Sequence, residues 1–371
     1  MIFSKHAARS ALVSALLLAL AVHADSHAAQ TVKKPGKAAM RKVAMNAPVP
    51  GEFANFTQWK EVAGFIDRMV EKHGFERAEL ESIFRKTRYV DVAIQLIKPA
   101  PPGQQKNWRA YRERFVEPIR INAGVAFWNM NEEALARAEE QYGVPAEIIV
   151  GIIGVETVYG RNTGNFRVLD ALTTLAFDYP NTPNRAARMN FFRGELENAL
   201  LFARDSNIDP FTLLGSYAGA IGWPQFMPGS IRKFAVDFDE DGKIDLRNSQ
   251  ADAIGSVAHF LAEHGWKRGE PVVFPVTVSN PEGSRAWDIF IGQELDAKFK
   301  LDELKATGVS PGVEPPADMQ FGLVDLQNGA EPTEYWLGAP NFFAITRYNR
   351  SFFYAMSVVD LGRAVRMARS R

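Results

Sequence analysis

The stretch from Gly143 to Gly160 restricts the fold more than any other. Ile148, Ile149, Val150, Ile152, Ile153 and Val155 follow one another with only Gly151 and Gly154 between them, and the next charge is Glu156. Pro145 suits the first turn of a helix and Gly160 suits its end. A helix apolar on every side is buried on every side, so this segment predicts a central rod with the rest of the chain packed around it. Gly151 and Gly154 weaken a helix, and their presence predicts that another element approaches the backbone closely there. Glu156 stands at the C-terminal end of the rod. Burial and the negative end of the helix dipole both disfavour its ionised form. A carboxylic acid that keeps its proton near neutral pH is what protonation of a glycosidic leaving oxygen requires. Spacing alone leaves a second reading open, a solvated glutamate at a helix end.

A chain of 371 residues is long enough for two or three folded units. Lys5, His6 and Arg9 precede an apolar run from Ala11 to Val22, and small residues follow at Val22-His23-Ala24 and Ser26-His27-Ala28-Ala29. The run is short for a membrane span, so residues 1–29 read as a secretory signal, with a short buried helix as the other reading. Residues 30–50 hold Lys33, Lys34, Lys37, Arg41 and Lys42 with no acid, and read as a flexible basic linker. The chain has no cysteine, which rules out disulfides and an anchor through a lipidated cysteine. The expectation is a soluble periplasmic protein without a stable membrane anchor. Lys+Arg and Asp+Glu balance at 43 each, against a dedicated nucleic-acid binder.

Helical spacing of Trp59, Val62, Phe65, Ile66, Met69 and Val70, continued by Leu80, Ile83 and Phe84, predicts a helical domain over 51–142. Trp108, Tyr111 and Phe115 lie at helical spacing too and read as core. A mostly helical core spans 143–268. Over 269–340 the texture changes: short β-rich runs at Val272–Val278, Trp287–Ile291 and Phe321–Leu326, divided by proline and glycine, predict a small antiparallel β insertion. Phe342–Tyr348 reads as a further strand, in a segment 341–371 that returns to the core and ends in a helix from Tyr354 to about Met367.

Gly154-Val155-Glu156-Thr157, with Tyr159-Gly160-Arg161 after it, resembles the catalytic motif of the lytic murein transglycosylase B family. Further blocks fall in the same order: Leu169-Asp170-Ala171-Leu172-Thr173-Thr174, Phe191-Phe192-Arg193-Gly194-Glu195-Leu196, Gly215-Ser216-Tyr217-Ala218-Gly219-Ala220, Gln225-Phe226-Met227-Pro228 and Asn341-Phe342-Phe343-Ala344-Ile345-Thr346-Arg347-Tyr348-Asn349. The resemblance implies a mainly α (α+β) fold: a lysozyme-like core with a helical N-terminal domain and a small β insertion. It implies cleavage of the β-1,4 bond between N-acetylmuramic acid and N-acetylglucosamine without water, with Glu156 as the single acid/base and 1,6-anhydro ends as product. A retaining muramidase, which would need a second carboxylate ~5–5.5 Å away, is the enzyme alternative. A non-catalytic peptidoglycan-binding scaffold is the other. The implied partners are glycan strands and muropeptides, with cell-wall synthesis or remodelling proteins as further candidates.

Glycines in the stretch Ser216 to Pro228 let backbone approach a sugar, Ser216 and Gln225 can hydrogen-bond its substituents, and Trp223 and Phe226 offer apolar faces. By resemblance Ser216, Gln225, Phe226, Tyr348, Asn349 and Tyr354 line the groove, with Asn349 holding an acetamido group. Arg185 and Arg188 suit the carboxylates of a peptide stem, because a guanidinium can bind them bidentately. A solvated charge is the other reading of either arginine.

Asp237, Asp239, Asp241 and Asp245 occupy positions 1, 3, 5 and 9 of an EF-hand-like loop, with Gly242 at the turn and Lys243 supplying position 7 through its carbonyl. Position 12 is Asn248 in place of the usual glutamate; Asp252 closes the site in the arrangement the resemblance implies. The expected cofactor is a structural Ca²⁺, with an acidic solvated turn as the alternative and no organic cofactor.

Overall fold

The computed structural model describes residues 55–99, 103, 105–279 and 284–371; the expected signal and basic linker lie outside them. The rod forms as its composition dictates. Helix Ala146–Thr157 buries ten of its residues, every one except Glu147 and Glu156. The C-terminal helix Phe352–Arg369 crosses it at backbone distance. A β-carbon on Gly151 would stand 2.3 Å from the Val358 carbonyl oxygen, and one on Gly362 would stand 2.2 Å from that of Glu147. Each helix therefore offers a glycine to a carbonyl of the other. Helices Pro118–Met130, Glu132–Tyr142, Val168–Phe177, Arg185–Asp205 and Gln250–Glu263 complete the core.

Helices Lys60–His73 and Arg77–Lys86 close the N-terminal side, where the Phe65 ring meets Phe84 and Phe177 edge-on, each with centroids 5.9 Å apart. Backbone amides of this region are tied to the core: Arg88 N–H donates to Asp170 (3.0 Å) and Val90 N–H to the Thr174 hydroxyl (3.0 Å).

An antiparallel sheet of five strands occupies the later part of the chain, in the order Phe299–Lys300, Gln320–Asn328, Glu331–Gly338, Val273–Val278, Val309–Pro311. It has a hydrophobic cluster of its own, built on Trp287, Phe290, Leu301, Leu304, Phe321 and Leu337. Two runs differ from the sequence expectation. Trp287–Ile291 is not a strand: Ala286–Phe290 is a short 3₁₀ turn over the sheet. Phe342–Tyr348 is not a strand either, since Pro340–Thr346 is a helix buried from Asn341 to Thr346. A short, fully buried apolar run lacks the period that separates strand from helix, and here Pro340 at the first turn decides for the helix. The strand Glu331–Gly338, rich in polar residues at its start, was not anticipated.

Candidate active site

The rod ends abruptly after Glu156. Thr157 is the last helical residue, and Val158 (φ 52°), Tyr159 (φ 55°) and Gly160 (φ 80°) are all left-handed. For an L-residue this conformation costs roughly 1–2 kcal/mol, and more for a β-branched valine, so packing must hold the turn. The Thr157 hydroxyl lies 3.0 Å from the Trp223 carbonyl oxygen and accepts from Gly160 N–H at 3.0 Å. A β-carbon on Gly160 would meet the Trp223 indole at 2.6 Å.

The two oxygens of Glu156 have different surroundings. Oε1 accepts a hydrogen bond of 2.7 Å from the Tyr354 hydroxyl. Oε2 is shut off from solvent and has no protein partner among the described residues. Burial pushes the carboxyl up to about 8, against a smaller lowering by the Tyr354 hydrogen bond. Three tyrosines surround the group electrostatically. Tyr354 and Tyr348 are buried and lie with rings stacked at 6.3 Å, and the Tyr348 hydroxyl donates to the Pro224 carbonyl at 2.6 Å. Tyr111, from helix Trp108–Arg112, is pushed up to about 12 by burial and then by the Glu156 charge.

Tyr111 is the residue that sequence reasoning missed. The stripe Trp108, Tyr111, Phe115 is core only at Trp108; the other two remain partly accessible. The one signal available was the hydroxyl, which an apolar stripe has no use for.

The glycine-rich stretch wraps beneath the acid. Ser216 is buried, and its Oγ accepts from Ala220 N–H (3.0 Å) and Ala218 N–H (3.3 Å), closing a turn. Gln225 is left-handed (φ 51°) and its amide donates to the Gly222 and Thr163 carbonyls, at 2.9 and 3.2 Å. Phe226 is only 2% exposed and packs on Phe260 and Tyr348, so it supports the site from behind and offers little face to a ligand. Asn349 is partly buried, at the corner before the C-terminal helix. Tyr354, on the first turn of that helix, is brought to Glu156 because the two helices cross at their glycines.

Arg185 lines a cavity of about 340 Å³ together with Ile94, Asp178, Tyr179, Pro180 and Asn181, whereas Arg188 is not among its lining residues. Arg185 is already engaged: Nε donates to the Tyr179 carbonyl (2.7 Å), and Nη2 lies 3.5 Å from Asp178. Arg188 lies over the rings of Tyr179, Phe191 and Phe192, and its Nη2 is buried with no partner among the described residues.

In the acidic loop, carboxylate oxygens of Asp237, Asp239 and Asp252 lie within 4.8 Å of one another. Asp252, 1% exposed, comes from helix Gln250–Glu263 and accepts from the amides of Phe238 (2.7 Å) and Asp245 (2.8 Å). Gly242 has the positive φ expected at the turn (86°). Asp241 and Asp245 stand outside this trio and accept from backbone amides: Asp241 from Lys243, Asp245 from Arg247 and Asn248. Three carboxylates so close repel unless a cation or protons intervene, and hard oxygen donors fit Ca²⁺.

Residues 56–363 match the family model described as the transglycosylase SLT domain. The chain belongs to this family. It is 43% identical over 328 residues to the membrane-bound lytic murein transglycosylase B of Escherichia coli, a match covering 86% of this chain and 85% of that protein. The soluble lytic transglycosylase SltB1 of Pseudomonas aeruginosa has the same fold at 45% identity, with a TM-score of 0.75 over 84% of this chain and all of that one. So does Escherichia coli lytic transglycosylase Slt35 in a structure with calcium, at 42% identity and a TM-score of 0.75, over 86% of this chain and 97% of that one.

Proposed function

We propose that this protein is a peptidoglycan lytic transglycosylase that cleaves the β-1,4 bond between N-acetylmuramic acid and N-acetylglucosamine and leaves a 1,6-anhydromuramyl end. The observation that carries the reading is the asymmetry of Glu156. With its pKa near 8 the carboxyl is neutral at neutral pH. Oε1 is taken by the Tyr354 hydroxyl, so the proton belongs on Oε2, the oxygen without a partner.

The Glu156 carboxyl transfers its proton to the glycosidic oxygen as the bond from that oxygen to the muramyl C1 breaks. The positive charge on the sugar is shared with its own N-acetyl group, as in substrate-assisted glycosidases. The resulting Glu156 carboxylate then removes the proton of the muramyl C6 hydroxyl while O6 bonds to C1. The enzyme regains its proton, and no water is consumed.

Retaining hydrolysis would need a second carboxylate close by. The first two acids after it in the sequence are engaged elsewhere: Asp170 with the Arg167 guanidinium and Arg88 N–H, Asp178 with the Tyr89 hydroxyl and Arg185. The raised pKa of Glu156 traces to burial and owes nothing to a neighbouring carboxylate. Mass spectrometry of products from purified sacculi tests the proposal. Anhydro ends are expected; reducing ends that have gained the mass of water would establish the muramidase instead.

Asn349, at the corner before the helix that carries Tyr354, is suited to hold the acetamido group. The peptide stem would pass by Arg188, whereas Arg185 is already committed to its own loop. Calcium at Asp237, Asp239 and Asp252 would tie the acidic loop to helix Gln250–Glu263 and take no part in the chemistry. The expected location is the periplasm, after export by the leader. With no cysteine to carry a lipid, the chain would be soluble there, unlike the relative described as membrane-bound.

A further inference from the structure

The left-handed turn after Glu156 is held in a way that the reaction scheme above does not use. Tyr159 is 7% exposed, and its phenol is driven between two helices where both lack a side chain. A β-carbon on Gly124, in helix Pro118–Met130, would stand 2.4 Å from the Tyr159 hydroxyl oxygen. A β-carbon on Gly154, in the rod itself, would stand 2.4 Å from the same atom. The Phe127 ring packs on the phenol at 5.2 Å and on Trp223 at 5.7 Å, so the two side chains that clamp the turn share one support. The hydroxyl is buried without a hydrogen-bond partner among the described residues. An unpaired buried hydroxyl is unfavourable, so the gain at this position comes from the ring filling the slot.

We infer that Tyr159 is a positioning residue for the lytic reaction: its ring, wedged between Gly124 and Gly154, locks the left-handed turn that ends the central helix and so keeps Glu156 in its dry slot against the Tyr354 hydroxyl. Two successive non-glycine residues with positive φ persist only when packing over-determines them. Tyr159 supplies that packing from within the strained turn, three residues after the acid, where a change in φ or ψ swings the end of the rod. Without the wedge the turn relaxes, water reaches the carboxyl, and the burial that keeps it protonated is lost. The groups facing Glu156 are Tyr354 from the C-terminal helix, Tyr348 from the loop before it and Tyr111 from helix Trp108–Arg112; Arg120 is the charge that acts on Tyr159. None of the three tyrosines can replace the lost exclusion of water.

The inference rests on Glu156 being the acid, and the test separates the two claims. Tyr159→Leu, Tyr159→Phe and Gly124→Ala, which pushes the phenol from the opposite side, are compared with wild type on sacculi across pH. For Tyr159→Leu and Gly124→Ala, kcat falls ~10-fold or more with KM within ~3-fold, and the basic limb moves to lower pH by about one unit, the direction that rehydration imposes. Tyr159→Phe keeps the ring and restores both the rate and the limb. Lower melting temperatures with an unmoved basic limb would mean that Tyr159 only stabilises the fold, and would overturn the inference. A Tyr159→Phe variant as impaired as Tyr159→Leu would overturn it too, by assigning the effect to the hydroxyl. An active Glu156→Gln would instead remove the functional reading itself.

Discussion

Tyr354 donates its hydroxyl proton to Oε1 of Glu156 at 2.7 Å, joining two residues 198 positions apart in the chain. The contact does two opposed things. It lowers the pKa of an acid that burial raises, and it reserves one oxygen so that the other carries the transferable proton. Tyr354→Phe removes both effects. The pKa of Glu156 then rises, so the basic limb of the pH–rate profile moves to higher pH. At the same time kcat falls ~10–100-fold, less than the ~10²–10⁴-fold ascribed to a positioned acid as a whole, because the acid remains but its proton is no longer confined to Oε2. A pH series of kcat on sacculi checks the sign; a limb that moves to lower pH would show that Tyr354 does not donate to the acid.

Glu156→Gln removes the transferable proton and is expected to lower the rate by ~10³-fold or more, with binding to sacculi retained. The stability consequence has the opposite sign. The carboxyl titrates near 4.5 in a peptide and near 8 when folded. Between those values the folded protein holds a proton that the unfolded chain has released, so wild-type stability falls as pH rises, by at most ~1.4 kcal/mol per unit. Glutamine carries no such penalty. Denaturant melts should find the variant close to wild type at about pH 4 and more stable at about pH 8; equal stability at both would mean that Glu156 is solvated.

The rod also constrains its partner. Alanine at Gly151 would set a methyl 2.3 Å from the Val358 carbonyl oxygen, which is backbone and cannot turn aside. The C-terminal helix must then shift outward and take Tyr354 with it. Gly151→Ala should cost ~1–3 kcal/mol, the range for overpacking a close contact, and should lower kcat more than its stability loss alone accounts for. Chemical melts and rates measured on the folded fraction separate the two.

The rod, its glycines and the acid at its tip were legible because an uninterrupted apolar run has few ways to fold and one titratable group on it stands out. Phe342–Tyr348 was misread because a short buried run carries no period, and the helix begins at a proline two residues upstream of it. Tyr111 was passed over because its spacing matched Trp108, and only the crossing of chain segments shows that one of the two reaches the acid. Phe226 was expected to present its face to a sugar, but residue chemistry alone does not say on which side of a loop a ring will lie. Asp252 could be linked to the loop only through the resemblance, as it follows the twelve-residue frame; folding puts its carboxylate beside Asp237 and Asp239.

The last of these gives the calcium prediction its form. Asp252 already accepts amides from Phe238 and Asp245, so the loop is shaped before any ion binds, while Asp237 and Asp239 bring further negative charge to the same point. A cation relieves that repulsion and stabilises the folded state by mass action, which at a hundredfold excess over its dissociation constant is worth ~2.7 kcal/mol. Calcium should therefore raise the melting temperature by several degrees, EDTA should reverse the rise, and magnesium should do less because it demands a smaller octahedral cage. Asp237→Asn removes a charged ligand and one of the two oxygens that accept from the Asp241 and Gly242 amides, while the amides held by Asp252 keep their acceptor. It should abolish the calcium shift, while the initial rate at 25 °C stays near wild type, since the ion acts on the fold and not on the bond being broken. A melting temperature indifferent to calcium would leave the trio as an acidic turn.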